Sequence, residues 1–305
     1  MRITLLPDAE HRPRHVAVGE FDGVHVGHRE VIRGADTVLT FEPHPRAVVA
    51  PDAAPKLLTS LEVKADLIAG LGVSELVVIP FDAEVAAQTA PDFVRDTLIE
   101  RLGATTVSVG ENFRFGYKAQ GDPDLLRAQD AFETRVVPLV EFDGEIVSST
   151  HIRGLVVAGN LAQANRSLGS PYQLRGTVVH GDARGRELGY PTANLVPDNA
   201  LCYPGNGVYA CRAAVREEGG AENGDGGWKW WPAATNVGVR PTFVTGRGVL
   251  VEAYLIGFEG DLYGRELRLT FLERLRGERR FDSVDALIEQ MHEDVQETQV
   301  VSQRA

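Results

Sequence analysis

Residues 19–28, GEFDGVHVGH, follow directly on a short apolar run. The run predicts a strand, the Asp-Gly pair predicts a turn, and a helix is expected to begin at about Gly27. His25 and His28 would then lie three positions apart on a first helical turn, where side chains share one face. The stretch therefore predicts a strand, a turn and a helix that present two imidazoles to one ligand.

Three roles for this histidine pair are open from spacing alone. The free amides and the positive dipole end of a helix start favour phosphate, and Gly27 allows close backbone approach. A catalytic zinc site is the second alternative, with Glu42 and His44 of FEPHP (41–45) as further ligands. Ordinary structural histidines are the third. The strand-turn-helix setting favours phosphate over the other two.

The first half of the chain alternates β-branched apolar runs with helical patterns. A helix is predicted over 59–71, with Thr59 and Glu62 as a capping box, and another over 91–102. Such alternation is typical of a parallel sheet buried on both faces. We therefore predict a Rossmann-like α/β nucleotide-binding domain over 1–169, closed by a short helix before Gly169. The predicted strands are 15–21, 36–41, 75–81, 105–110 and 134–140.

Strands separated by turn residues, without helix-length segments between them, fill most of 170–305. This pattern predicts a small antiparallel β-barrel. One helix follows, from Ser283 to about Thr298, and residues 216–227 are expected to form an exposed hairpin loop. The strands are 172–180, 207–215, 231–239, 249–257 and 266–273, and the helix carries an apolar stripe of Val284, Leu287, Ile288, Met291 and Val295.

The composition limits the classes of function. Of 305 residues, 43% are hydrophobic and 24% are charged, as in an ordinary globular protein. The net charge of -12 argues against a broad nucleic-acid surface. No run approaches the ~18 apolar residues of a membrane span, and no signal-peptide core is seen, so we expect a cytoplasmic protein. Cys202 and Cys211 form no CxxC pattern and are expected to be free thiols.

Further motifs carry a resemblance to a known family. GEFDGVHVGH, FEPHP, GENFRFG (110–116) and SSTHIR (148–153) resemble the adenylyltransferase half of the bacterial bifunctional riboflavin kinase/FMN adenylyltransferases, also called FAD synthetases. The second half is similar to that family in five stretches: GRELGYPTAN, NVGVRPTF, VEAYL, DLYGRELRLTFLERLR and FDSVDALIEQMHEDV. All nine stretches occur in the family's order and span nearly the whole chain.

The resemblance implies two reactions in flavin cofactor biosynthesis. Riboflavin would be phosphorylated by ATP to FMN in a kinase domain, 170–305. FMN would then receive AMP from a second ATP in an adenylyltransferase domain, 1–169, giving FAD and pyrophosphate. Mg²⁺ is the implied cofactor, ATP the co-substrate, and riboflavin, FMN and FAD the other small-molecule partners.

The resemblance also assigns residues to the adenylyltransferase site. His25 and His28 would supply hydrogen-bond donors to the ATP phosphates, and Arg153 would add a fixed cation. The aromatic faces in GENFRFG would suit a flavin ring, although a plain loop with two buried phenylalanines has the same pattern. The phosphate-binding set is Gly19, Phe21, Asp22, His25, His28, Ser148, Ser149, Thr150 and Arg153; the flavin-binding set is Asn112, Phe113 and Phe115.

The predicted kinase site lies between residues 181 and 276. Glycines four residues apart can fold around phosphate, and in PTAN the oxygens of Thr192 and Asn194 share one face of an extended chain and suit Mg²⁺. Glu252 interrupts an apolar row, and the resemblance makes it the general base. Arg276 is expected at the flavin pocket edge, with a solvated loop as the alternative. The ATP-binding set is Gly181, Arg184, Gly185, Gly189, Thr192 and Asn194.

Two departures from the family pattern affect the first half. Glu42 stands where the family commonly has aspartate. Only twelve residues separate His28 from Phe41, so a helix from Gly27 to Ile32 would be short and would bury little. Two rival hypotheses stay open: a kinase-only enzyme with a structural first domain, and a non-enzymatic flavin-nucleotide sensor.

Overall fold

The computed structural model describes residues 1–181, 189–196, 198–216, 227–240 and 248–304. The backbone forms two compact units, Met1–Ser149 and Thr150–Ala305. Within the described residues, no helix has both the length and the apolar character needed to cross a membrane. Cys202 and Cys211 are both buried free thiols, as predicted.

A six-stranded parallel sheet forms the centre of the first unit. Its strands are β1 (Arg2–Leu5), β2 (Arg14–Val18), β3 (Thr37–Glu42), β4 (Glu75–Pro80), β5 (Ala104–Gly110) and β6 (Glu133–Val137). They lie in the order β1-β4-β3-β2-β5-β6, and each neighbouring pair is parallel. The predicted Rossmann-like α/β fold is confirmed. Only β1 was not predicted, because Ile3 and Leu5 are exposed and give it no buried apolar run.

Helices cover both faces of this sheet. They are α1 (Val26–Ile32), α2 (Pro45–Val49), α3 (Leu61–Ala69), α4 (Ala83–Ala87), α5 (Ala90–Asp92), which continues as a π-helix over Phe93–Arg101, and α6 (Pro123–Arg127). Val16 and Val18 pack toward Phe93 on one face, whereas Ala17 and Val38 pack toward α1 and α3 on the other. The period-two alternation of strand side chains thus builds two core layers.

Two helix predictions need correction. Helix α1 is short, as expected, but it buries Val31 and Ile32, at 6% and 1% exposure, in the core layer beneath it. Helix α3 spans Leu61–Ala69 instead of 59–71, and its cap lies one residue later than predicted: Ser60 Oγ, not the Thr59 hydroxyl, accepts the hydrogen bond from Val63 N, at 3.3 Å. The Thr59 hydroxyl instead forms hydrogen bonds with Asp22 and Gly23.

A closed antiparallel barrel forms the centre of the second unit. Its strands are β9 (Tyr172–Val179), β10 (Ala193–Leu195), β11 (Gly207–Arg216), β12 (Trp228–Arg240), β13 (Gly248–Leu255) and β14 (Glu266–Arg276), numbered after a small hairpin of β7 (Glu141–Phe142) and β8 (Glu145–Ile146). The barrel order is β10-β13-β12-β11-β14-β9, and β10 pairs with β9 to close it. The predicted barrel is confirmed. Residues 217–226 of the predicted hairpin loop lie outside the described residues.

Three helices accompany the barrel: α7 (Ser149–Val157), α8 (Leu161–Leu168) and α9 (Val284–Arg304). Helix α8 ends at Gly169, which has the left-handed φ of 72° that favours glycine. Helix α9 packs on the barrel as predicted but runs six residues beyond Thr298. The first residue of its predicted stripe, Val284, is exposed, and the buried positions are Asp294, Thr298 and Val301.

A buried carboxylate ties the amino ends of the first-unit strands together. Glu75 is 1% exposed and accepts hydrogen bonds from the side chains of Arg2, Thr4, Arg12 and Arg14, at 2.7 to 3.2 Å. Burial alone would raise the pKa of Glu75, but the hydrogen bonds from Thr4, Arg12 and Arg14 outweigh it and lower this pKa to about 2. The network therefore depends on an ionised carboxylate.

We expect Glu75→Gln to destabilise the first unit by about 3 kcal/mol, because it leaves the fully buried Arg14 guanidinium without its counter-charge. Since the folded pKa of Glu75 is about 2 against 4.5 for an ordinary glutamate, its stabilisation is complete above pH 4.5 and is lost as the pH falls toward 2. Urea unfolding between pH 7 and 3 measures both effects. Glu133→Gln, at an exposed position of β6, is the control, and equal stability of the two variants would contradict the prediction.

Candidate active sites

The sheet order creates a crevice at its carboxyl edge. From β2 the chain first proceeds to β3 and β4 on one side, and later to β5 on the other side of β2. In open parallel sheets, ligands bind outside the strand ends at such a reversal. GEFDGVHVGH follows β2, FEPHP closes β3 and GENFRFG follows β5. The topology thus brings three of the predicted motifs to one edge.

The turn between β2 and α1 is strained. Phe21, Gly23 and Val24 have φ angles of 49°, 85° and 42°. This left-handed region suits glycine, but for a β-branched residue such as Val24 it is a genuine outlier that costs about 1–3 kcal/mol. Phe21 and Val24 are nevertheless buried, at 2% and 0% exposure. Other contacts must hold the turn in this conformation.

Asp22 and Thr59 supply those contacts. Asp22 is 4% exposed, and its Oδ1 accepts hydrogen bonds from Leu58 N at 2.8 Å and Thr59 N at 3.1 Å. The Thr59 hydroxyl donates to the same oxygen at 3.4 Å and accepts from Gly23 N at 3.1 Å. We call this set of hydrogen bonds the Asp22–Thr59 clamp. It fixes the turn against the segment that leads into α3.

The two histidines stack on each other beside this turn. Their ring centroids are 3.5 Å apart at an interplanar angle of 18°. His25 caps α1, since its Nδ1 accepts from His28 N at 3.2 Å; an accepting Nδ1 leaves the His25 proton on Nε2. A Cβ on Gly27 would lie 3.2 Å from the His25 ring, and the Phe21 ring meets His28 edge-on at 5.3 Å. A side chain at position 27 would therefore press on the stack and displace the His25 ring by a few tenths of an ångström.

Both imidazoles are neutral at pH 7. Burial lowers the pKa of His25 to about 4. Burial also lowers the pKa of His28 well below its ordinary value, with smaller contributions from His25 and Lys64. His28 Nδ1 is buried without a hydrogen-bond partner in the described part of the chain. The pair therefore offers uncharged hydrogen-bonding groups to a ligand.

The zinc alternative lacks the ligand geometry it needs. His44 Nε2 contacts Glu20 Oε2 at 2.7 Å, and its Nδ1 caps α2 by accepting from Arg46 N at 3.1 Å. Both His44 nitrogens are thus engaged. Among the described residues, no group of three or more His, Cys, Asp or Glu side chains is arranged to hold a metal ion.

The other residues predicted for the first site fall into two groups. Ser149 Oγ donates to the Asp22 carbonyl at 2.9 Å, which brings the start of SSTHIR to the turn. Ser148 and Ser149 are half-buried and belong to the first unit. In the second unit, Arg153 donates to Thr150 Oγ1 at 3.1 Å. Gly19, whose amide donates to Leu39 O, would place a Cβ 3.0 Å from the Phe21 ring, so it supports the turn.

The GENFRFG loop presents one aromatic ring, not two. Phe115 is 6% exposed and lies in the core, 5.5 Å from Phe93. Phe113 is half-buried and stacks on Phe115 at 5.4 Å, and Asn112 is exposed. The expectation that Phe115 contacts flavin is corrected, because its ring is packed against the protein. Asn112 and Phe113 stay available to a ligand.

In the second unit, polar side chains line up across three barrel strands. Asn194 of β10 pairs with Glu252 of β13, which pairs with Asn236 of β12. Directly paired residues point to the same face of a sheet, so these three side chains form one row. Glu252 is half-buried, and its neighbours along β13, Val251 and Ala253, point into the core. The row lies on the face of the barrel opposite the core, where Glu252 and Asn236 are half-buried.

Asn194 has the features of a ligand-binding residue. It is 7% exposed, and its Oδ1 is buried with no hydrogen-bond partner in the described residues. A Cβ on Gly181 would lie 2.2 Å from Asn194 Nδ2, so only glycine allows this approach. Thr192 and Asn194 border a cavity of about 90 Å³ whose wall also contains Val178, Leu255, Phe258, Leu262 and Tyr263. An unused amide oxygen beside a cavity fits an oxygen-seeking cation.

The remaining kinase-site predictions have mixed outcomes. Arg184 and Gly185 lie outside the described residues. Gly189 has a left-handed φ of 86°. Arg276 is engaged within the protein: its Nε and Nη2 donate to Asp294 of α9 at 2.8 and 2.7 Å. The prediction of Arg276 as a flavin contact is corrected, because this buried ion pair holds the C-terminal helix to β14.

Comparisons with known proteins match both halves of the chain. A model described as FAD synthetase matches residues 8–151, and one described as riboflavin kinase matches residues 168–302. Relatives named bifunctional riboflavin kinase/FMN adenylyltransferase are 35% identical in Pseudomonas fluorescens, 36% in Escherichia coli K12 and 37% in Bacillus subtilis. These matches cover 92 to 94% of this chain and 90 to 92% of each relative.

The chain belongs to the bifunctional riboflavin kinase/FMN adenylyltransferase family. A solved structure titled macrolide-efflux protein, from Streptococcus pneumoniae, is also similar, with a TM-score of 0.85 and 30% identity. It covers 98% of this chain and 99% of its own. The bifunctional kinase/adenylyltransferase chain therefore shares its fold with that protein over nearly its whole length.

Three residues that contribute to the two sites have no site role in the sequence-based predictions. The sequence indicates Thr59 only as a helix cap, and it gives no signal for Asn236, whose position in the row follows from strand register. Lys64 is 6% exposed and lies between Leu61 and Ile68 on the buried side of α3. Lys64 lies three residues after Leu61 and four before Ile68, a spacing that places it on the apolar face of a helix. This spacing is the sequence signal that identifies Lys64.

We expect the His25 imidazole to titrate near pH 4 in the folded protein, since burial disfavours its charged form. Its pKa lies below the ordinary 6.5, so its contribution to stability is complete above pH 6.5 and declines as the pH falls toward 4. NMR titration of the ring nitrogens measures both the pKa and the Nε2 protonation, with His25→Gln for assignment. Titration of His25 above about pH 6 would contradict this environment.

Proposed function

We propose that this chain phosphorylates riboflavin to FMN with its second domain, 170–305, and adenylylates FMN to FAD with its first, 1–169. The observation that carries the proposal is that both family models match this one chain. Its relatives are named for both activities, and the matches cover at least 90% of the length of each relative. ATP is the co-substrate of both reactions. The two free thiols fit a reducing compartment, and we place the enzyme in the cytoplasm.

In the adenylyltransferase reaction, a phosphate oxygen of FMN attacks the α-phosphorus of ATP. The bond from that phosphorus to the bridging oxygen breaks, and pyrophosphate leaves with the electron pair. His25 Nε2–H and the His28 ring would donate hydrogen bonds to the phosphates, and the Asp22–Thr59 clamp keeps both rings in place. Ser148 and Ser149 would complete the phosphate site within the first unit, and Asn112 and Phe113 would contact the flavin. Catalysis here is positioning and electrostatic stabilisation.

In the kinase reaction, Glu252 would accept the proton from the riboflavin 5'-hydroxyl as that oxygen attacks the γ-phosphorus of ATP. Glu252 stands next to Asn194 in strand register, which brings base and phosphate site together. Asn194 Oδ1 and the Thr192 hydroxyl would hold Mg²⁺, and the unpartnered Asn194 Oδ1 supports this fit. The metal ion would neutralise phosphate charge when bound. The wall of the cavity beside Thr192 is mixed, with apolar Leu255 and Phe258 beside the polar Asp261.

Incubation of the full chain with riboflavin and Mg-ATP, followed by chromatographic separation of flavins, tests the proposal. We expect FMN to appear first and FAD to follow. FMN without FAD would favour the kinase-only hypothesis. Flavin binding without turnover would favour the sensor.

We expect Glu252→Gln to lower riboflavin phosphorylation by about 10²- to 10⁴-fold, because the general base is lost. FAD formation from added FMN should continue at the wild-type rate. Steady-state assays of the two half-reactions on the same preparation measure both effects. Glu259→Gln, at an exposed position beyond β13, is the control. Equal loss of kinase activity and ATP affinity in Glu252→Gln would indicate a structural role.

For His28→Ala we expect the opposite pattern, a loss of FAD formation with riboflavin phosphorylation retained. Removing a buried donor to the phosphates should lower FAD formation from FMN by about 10²- to 10³-fold, and phosphorylation of riboflavin should be unchanged. His11→Ala, which removes an exposed imidazole of the same unit, is the control. An active His28→Ala enzyme would refute a phosphate role for this ring.

A further inference from the structure

Lys64 is a buried cation without a close partner. It lies in the second turn of α3 and is 6% exposed. Within the described chain, its ammonium forms neither a hydrogen bond nor an ion pair. Lysine is almost never this buried unless it is paired. A largely buried lysine whose ammonium lacks an acceptor in the protein is suited to an acceptor supplied by a ligand.

The charges around Lys64 place it at the crevice of the first unit. Its electrostatic neighbours are the carboxylates of Asp22, Glu42 and Glu20 and the His28 ring. Asp22 and Glu20 follow β2, and Glu42 ends β3, so all of these groups stand at the carboxyl edge of the sheet. Burial lowers the pKa of Lys64, and the three carboxylates oppose that effect.

Two of the nearby carboxylates, Asp22 and Glu20, are engaged with other groups. Asp22 Oδ1 accepts from Leu58 N and from both Thr59 donors, and Glu20 contacts His44 at 2.7 Å. They compensate the Lys64 charge at longer range but do not occupy its N–H groups. The lysine therefore retains donors for an anion that enters the crevice.

The Asp22–Thr59 clamp also positions this lysine. It fixes Leu58 and Thr59 to the histidine turn, and Ser60 immediately caps α3. Lys64 follows one turn later, with its amide bonded to Ser60 O at 2.9 Å. The same clamp that holds His25 and His28 thus sets the helix that carries the lysine.

We propose that Lys64 is a catalytic residue of the adenylyltransferase site, where its ammonium donates to the triphosphate of bound ATP. The inference rests on the proposed function. As the FMN phosphate oxygen bonds to the α-phosphorus, the bond to the bridging oxygen breaks and negative charge grows on the departing pyrophosphate. Lys64 stabilises that charge beside the uncharged His25 and His28, so it provides the positive charge that the imidazoles lack.

The test uses the full chain and the variants Lys64→Met, Lys64→Arg and, as control, Lys56→Met at an exposed position of the same segment. Assays of FMN to FAD isolate the first site, since the kinase does not contribute. The reverse reaction, FAD with inorganic pyrophosphate, probes the leaving group directly. Riboflavin phosphorylation and thermal melting are recorded for every protein.

We expect Lys64→Met to lower kcat/KM for ATP and for pyrophosphate about 100-fold, as for loss of one donor to a developing oxyanion. KM for FMN should stay within about twofold. Lys64→Arg, which keeps the charge, should recover part of the rate. The kinase rate of both variants and both activities of Lys56→Met should match wild type.

Three results would overturn the proposal. The first is a Lys64→Met enzyme within threefold of wild type in FAD formation, and the second is a loss confined to KM for FMN, which would assign the lysine to the flavin phosphate. The third is a lower melting temperature together with no recovery in Lys64→Arg, which indicates a structural role. A wild-type enzyme that makes no FAD would refute the proposed function but not the role of Lys64. Binding of radiolabelled pyrophosphate to wild type and to Lys64→Met tests that role separately, because the proposal requires weaker binding by the variant.

Discussion

The carboxylate of Asp22 is the contact on which the first site depends. The turn it holds has three residues in the left-handed region, two of which are not glycine, and each such residue costs about 1–3 kcal/mol. Three donors converge on Asp22 Oδ1 from Leu58 and Thr59, and hydrogen bonds to a charged group contribute about 1.5–3 kcal/mol each. The clamp offsets the backbone strain of this turn. The turn then brings His25 and His28 together.

A different constraint orders the second site. In the barrel, strand register alone places Asn194, Glu252 and Asn236 in one row, and β10 closes the barrel with only three residues. A shift of one of these strands by one residue would turn its member of the row to the core face. The pairing of β10 with β13 thus sets the separation between the Asn194 amide and the Glu252 carboxylate. In the first unit, side-chain hydrogen bonds position the site residues instead.

Apolar periodicity predicted nearly all of the fold, because buried strands and closed barrels leave strong patterns in the sequence. The failures occur where a side chain has a competing contact. Thr59 resembles a helix cap but bonds to Asp22, so the cap moves to Ser60. Arg276 resembles a free cation but pairs with Asp294, a buried carboxylate three residues after Met291 of the predicted apolar stripe. Spacing reveals which residues share a face, but not which partner each one selects.

The charges of the first site explain how an acidic protein can bind a nucleotide there. At a net charge of -12, the chain repels a triphosphate at long range, so binding must rest on short-range donors. Neutral His25 and His28 add hydrogen bonds without charge, and Lys64 balances part of the negative charge of Asp22 and Glu42. Selection of the ligand then depends on where the donors point, which the clamp determines.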